Sequence, residues 1–289
     1  MESLMNHLLS IEVNPKGAEL MSIKSVQDNL EYLWQGNPVY WKRRSPLLFP
    51  IVGALKDNHY EHSGEQYEME LHGFVKDMVF KLTGKSENRL IFTLSDDENT
   101  KRKYPFDFLL QITYELQENN INISHMVKNT GGNTLWFSIG EHPGFNCPLL
   151  SNETMEDYSL VFEKNECTSR RFLVDGLLWD EEEKFLDNDR VIRLSHELFE
   201  RRAILLKNLQ SGSVTLKSRN HDREVTVSFK GYPYLGIWSL EAGAPFVCIE
   251  PWYGISSKID GDLELKEKEG ILSLESGQEF KCSYSISIQ

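Results

Sequence analysis

The segment Phe280–Gln289, FKCSYSISIQ, decides the fold. Phe280, Cys282, Tyr284, Ile286 and Ile288 occupy every second position, with Lys281 and serines among the residues between. In an extended chain successive side chains point to opposite faces, so this spacing makes a half-buried strand. REVTVSFKG, from Arg223 to Gly231, repeats the pattern with Val225, Val227 and Phe229 inward. The run from Leu110 to Glu141 reads as three strands joined by turns at Gln117–Asn120 and Asn129–Asn133, where Asn and Gly supply the turn chemistry.

Further strands are expected in LLSIEVN, AELMSIKS, RLIFTLS, YSLVFEK, AILLKNL, SVTLKS, LGIWSL, FVCIEPW and GILSLES. Helical periodicity is scarce, with Ser195–Glu200 the best short candidate, and the acidic run Asp180–Glu183 reads as a solvated loop. Strands this dense, with no linker, low-complexity segment or repeat, predict an all-β chain forming one large antiparallel sandwich across residues 1–289.

Composition narrows the partners. Lys and Arg total 31 against 44 Asp and Glu, a net charge of −13 that disfavours nucleic acid and anionic membrane. The N-terminus lacks the basic start and apolar core of a secretory signal, and no apolar run approaches the ~18 residues of a membrane span. Cys147, Cys167, Cys248 and Cys282 are widely spaced with no C-x-x-C pair, which predicts reduced thiols and a cytoplasmic location.

Several chemistries lack their motifs: there is no G-x-G-x-x-G after a strand, no phosphate-cradling loop and no G-x-S-x-G elbow. His59 and His62 are three apart on a predicted strand, so they face opposite ways and are poorly placed to share an ion. Three polar islands remain inside apolar sequence: ELHGFVKD with His72, IGEHPGFN with His142, and FVCIEPWYG, where Glu250 closes an apolar run. A carboxylate in such a run requires a partner or water.

Together with WKRRSPLLFPIVGALKDNHY, KNLQSGSVTL and LGIWS, these islands resemble, in order and spacing, the aldose 1-epimerase (mutarotase) family and its LacX-type branch, known from lactose-utilisation genes. The resemblance covers nearly the whole chain. It implies a large antiparallel β-supersandwich of the galactose mutarotase-like type with few short helices, and interconversion of the α and β anomers of a hexose. It assigns Glu250 as the base at O1, His142 as the acid at the ring oxygen and His72 as a second imidazole holding the sugar. An ionised Glu250 and a His142 whose pKa a carboxylate raises would suit those roles. No metal and no cofactor is called for. Trp238, Phe145 and Trp252 are candidate walls for the sugar's apolar face.

Two departures from the family pattern bear on substrate. Ala54 stands where galactose mutarotases carry an arginine, with Arg43 or Arg44 as possible replacements. Arg202 falls near the position of a sugar-binding aspartate. A donor-only cation there suits a phosphate, and Lys76 would add to such an anion site, so the expected small-molecule partner is a hexose or a hexose 6-phosphate, with galactose 6-phosphate the candidate that the branch's lactose association implies. The alternative is a sugar-binding or sensory protein that keeps the pocket without turnover. A polysaccharide lyase or hydrolase would require an open groove or a paired-carboxylate site, of which the sequence gives no sign. Oligomeric state is left open.

Overall fold

The computed structural model describes residues 1–240 and 243–289. Among these, fifteen strands hydrogen-bond into one continuous network, and every pairing in it is antiparallel. The alternating segments that announced the fold lie side by side in it. Glu279–Ile288 pairs with Asn120–Asn129, which pairs in turn with Phe108–Gln117. Their inward residues, among them Leu110, Ile112, Ile121, Ile123 and Ile286, are fully buried in the main core. A three-stranded sheet of Glu2–Met5, Leu9–Asn14 and Glu19–Ser25 adds its apolar side to the same core. No helix among the described residues is long and apolar enough to cross a membrane.

Several expectations require correction. The third strand of the Leu110–Glu141 run is broken at Ser138 into Leu135–Phe137 and Ile139–Glu141, which pair with different partners. The acidic run Asp180–Glu183 is strand rather than loop, lying within Leu177–Arg193. Its partner strand, Tyr158–Val174, answers the charge: Arg170 contacts Glu183 at 2.6 Å. Solvation and cross-strand ion pairs let an acidic run remain extended. Ser195–Glu200 contains only a 3₁₀ turn at Glu197–Phe199. The α-helix at Glu98–Lys103 was not expected, because ENTKRK carries no apolar stripe; the Asp97 carboxylate, accepting from the backbone N–H of Asn99 and Thr100, starts it.

The site is assembled where four strands meet. Phe246–Tyr253 runs between Tyr234–Trp238 on one side and, on the other, Ile139–Glu141 followed by Gly144–Asn146. Glu250 is therefore within a strand rather than at its end. Pairing is Gly140 to Trp252 before the Pro143 turn and Gly144 to Cys248 after it, which brings His142 opposite Glu250.

Candidate active site

Glycines on both flanking strands make room for the Trp252 indole. A Cβ on Gly140 would stand 2.6 Å from Trp252 Cδ1, and one on Gly236 would stand 3.0 Å from the same ring. The indole is fixed there by its Nε1–H, which donates to the Glu141 carbonyl at 3.2 Å. His72 is placed by a different device. Its backbone is left-handed, φ +63°, and its N–H donates to the Gly53 carbonyl at 3.0 Å while its Nδ1 accepts from the Gly53 N–H at 3.1 Å. Nδ1 is thereby fixed as the acceptor, which leaves the proton of the neutral ring on Nε2. The following Gly73 is obligatory, since a Cβ would lie 2.1 Å from the Phe49 carbonyl oxygen.

These elements surround a cavity of 770 Å³ lined by His72, His142, Glu250, Trp238 and Trp252, with Lys76 and Arg202 also on its wall. His142 Nε2 lies 3.1 Å from Glu250 Oε2. The Trp41 ring packs on the His142 imidazole at 4.8 Å and 32°, and Trp238 meets it edge-on at 5.6 Å. His72 stands 5.6 Å from His142 at 88°, so the two imidazoles approach the same space from different directions.

Burial dominates the electrostatics. Glu250 is 1% exposed and its pKa is raised well above the usual carboxylate range by loss of water. The same cause pushes His142 down to about 3. His72 is lowered well below its ordinary value by burial, then by His142, Lys76 and Lys268. Against the expectation of an ionised Glu250 raising His142, burial pushes both groups toward their neutral forms.

Of the proposed sugar walls, Trp238 and Trp252 line the cavity but Phe145 does not; it lies in the main core, bridged to Leu33, because the strand after the Pro143 turn aims it inward. Arg43 and Arg44 separate just as cleanly. Arg44 turns away and donates to the Met21 carbonyl at 2.6 Å. Arg43 lines the cavity, held by Asp77 at 2.7 Å and the Lys76 carbonyl at 3.1 Å. Lys76 Nζ donates to the carbonyls of Leu71 and Gly73 and lies 3.5 Å from Glu70. Arg202, exposed and left-handed at φ +66°, has no ion pair among the described residues. Ala54 is buried, and its N–H donates to Ser256 Oγ at 3.1 Å.

Sequence reading missed Trp41, Ser256, Glu70 and the buried Lys268. Trp41 heads the WKRRSP segment, so proximity to Arg43 was a usable signal. Lys268 sits in a charged run, KEKEG, that reads as surface, yet its Nζ is buried against the Ile255 and Val52 carbonyls and its pKa is pushed down to about 7 by desolvation. A roof completes the cavity: Leu173 and Gly176, at the tip of the hairpin formed by Tyr158–Val174 and Leu177–Arg193, line it from above.

The fold is shared with proteins of known structure. The galactose mutarotase related enzyme of Lactobacillus acidophilus superposes with a TM-score of 0.96 at 32% identity, covering 100% of this chain and 97% of that one. A galactose mutarotase-like protein of Lactobacillus casei gives 0.94 at 28% identity over the whole of both chains. LacX of Lactococcus lactis subsp. lactis is 35% identical over 294 residues, covering 99% of this chain and 98% of that protein. The sequence profile described as aldose 1-epimerase matches residues 3–266. The expected all-β, mutarotase-like architecture is thus borne out, and by its sequence and its three-dimensional similarity the chain belongs to the aldose 1-epimerase family.

Proposed function

We propose that the cavity interconverts the α and β anomers of a hexose 6-phosphate. The observation that carries this reading is the buried Glu250–His142 pair, 3.1 Å apart on the wall of a cavity large enough for a sugar, with the Nε2–H of His72 as a third polar contact.

In the reacting arrangement one proton resides on the pair. Glu250 takes the proton of O1–H, the C1–O5 bond breaks as C1=O1 forms, and His142 gives its proton to O5. After rotation about C1–C2 the aldehyde presents its other face. His142 then recovers the proton from O5 as that oxygen attacks C1, and Glu250 returns its proton to O1. Atoms and protons balance without a co-reactant. Burial favours the proton on Glu250; sugar hydroxyls donating to the carboxylate shift it to His142, which prepares the pair for turnover. Holding donor and acceptor this close, away from water, is the rate-enhancing contribution of the fold.

Support for a phosphorylated substrate comes from the cavity rim. Arg43 and Lys76 are engaged by Asp77, Glu70 and backbone carbonyls, whereas Arg202 has no such partner among the described residues. A guanidinium on a cavity wall suits the terminal oxygens of a phosphate. Magnetisation-exchange NMR on the anomeric protons of galactose, glucose and their 6-phosphates, in a buffer without phosphate, tests the proposal. Faster exchange for a 6-phosphate with the wild type, lost in Glu250→Gln, is the expected result. Binding without acceleration of any of the four sugars would instead identify a sugar-binding protein without turnover.

A further inference from the structure

His59 and His62 are poorly placed to share an ion, but the fold builds a different cluster. Cys248 and Glu250 are two apart on one strand and so share a face, and the Pro143 turn brings His142 onto them. One donor atom from each, His142 nitrogen, Cys248 Sγ and a Glu250 oxygen, lies within 4.8 Å of the other two. All three residues are buried, at 8%, 0% and 1% exposure. Glu250 Oε2, although 3.1 Å from His142 Nε2, makes no hydrogen bond of good geometry among the described residues.

We propose that His142, Cys248 and Glu250 form a binding site for a borderline-soft divalent cation, Zn²⁺ by chemical class, that silences the sugar site. Tetrahedral zinc, with ligands at about 2.0–2.3 Å, requires donors about 3.3–3.8 Å apart. The His142–Glu250 contact of 3.1 Å is already close to that; the Cys248 thiol and the Glu250 carboxyl give up their protons to solvent on binding, and Sγ, within 4.8 Å of both partners, closes the remainder by side-chain rotation. A thiolate, an imidazole and one carboxylate select zinc or cobalt over calcium and magnesium, which call for oxygen donors. His142 and Glu250 line the cavity while Cys248 lies behind them, so the fourth ligand position faces the space a sugar would fill. Chelation occupies the lone pairs that would exchange protons with the sugar. This consequence rests on the mutarotase reading; the binding site itself does not.

Cobalt(II) is the probe. Titrated into metal-free wild type, it should produce a thiolate-to-cobalt charge-transfer absorption that one equivalent of zinc removes. The band should vanish in Cys248→Ser and Cys248→Ala and persist in Cys167→Ser and Cys282→Ser. Zinc should inhibit anomer exchange competitively with sugar, and Cys248→Ser should require more than about tenfold more zinc for the same inhibition. X-ray absorption at the zinc edge on wild type, which depends on no variant, should show one sulfur at about 2.3 Å. A zinc shell without sulfur, or a cobalt band that survives in Cys248→Ser, would overturn the site. If the band behaves as expected but zinc leaves exchange untouched, the metal site stands and the catalytic roles of His142 and Glu250 fall.

Discussion

Replacing Glu250 by Gln should make the protein more stable, by an amount that grows with pH. In the folded chain burial raises the Glu250 pKa well above 4.5, so the carboxyl stays protonated where the unfolded chain would release the proton. A raised folded pKa contributes stability that is fully present below the unfolded value and is lost as pH rises toward the folded one. The loss accrues at about 1.4 kcal/mol per pH unit, and the interval from 4.5 to pH 7 sets a ceiling of about 3.4 kcal/mol at pH 7. Glutamine has nearly the same shape and does not titrate, so it escapes this loss. Its amide adds a pH-independent offset, which makes the slope the informative quantity. His142 is present in both proteins and largely cancels. Guanidinium unfolding of wild type and variant at pH 5, 6 and 7 measures the difference. A difference that does not change with pH, or one that shrinks as pH rises, would refute the claim that burial keeps Glu250 protonated.

His142→Gln should show the mirror image. His142 is depressed to about 3 in the fold, so wild-type stability falls as pH drops below 6.5, and the variant gains on it with acidification, up to about 4.8 kcal/mol, in the same unfolding assay. Its anomer exchange should drop by about 10²–10⁴, read by NMR, as expected for loss of a general acid. Arg202→Ala should weaken binding of a hexose 6-phosphate by about 1.5–3 kcal/mol, seen by calorimetry, and leave the unphosphorylated sugar unchanged; equal losses for both would remove Arg202 from the phosphate reading. Gly73→Ala forces a Cβ to 2.1 Å from the Phe49 carbonyl in left-handed backbone, so the melting temperature should fall, with a loss of about 2–4 kcal/mol.

Where one face of a strand is buried and the other wet, the fold was legible, because period-two alternation is written directly in Phe280–Ile288, Asn120–Asn129 and Phe108–Gln117. It was less legible where neighbours decide. The Ser138 break depends on two different partner strands, and the acidic Asp180–Glu183 segment is extended because arginines across the ladder answer it. In the site, His72, His142 and Glu250 stood out as polar residues in apolar surroundings, and the fold brings them to one cavity. Which aromatic ring faces that cavity could not be read, since Phe145 and Trp41 differ only in how turns aim them. Protonation was misjudged for the same reason: pKa values follow burial, and a chain of letters does not display water.

The cavity roof hangs on an arm. Each strand of its hairpin is 17 residues long, and near the tip the arm is tied to the remaining structure by a local set of contacts: Arg171 pairs with Leu205 and contacts Glu269 at 2.7 Å, the Leu178 N–H donates to the Ser257 carbonyl at 2.9 Å, and Leu173 and Leu178 pack into the small apolar cluster around Trp252. Between that tip and the Tyr158–Phe162 base, which pairs with Val214–Ser218, most side chains of the hairpin face solvent. The free energy of lifting the roof is therefore set by these contacts and by the small cluster around Trp252. Amide protons along Glu163–Arg170 should exchange through this opening well ahead of those in Asn120–Asn129, and a bound sugar touching Leu173 should slow them. Access to the cavity and local stability of the arm are then a single equilibrium, one that ligand binding tightens without reshaping the core.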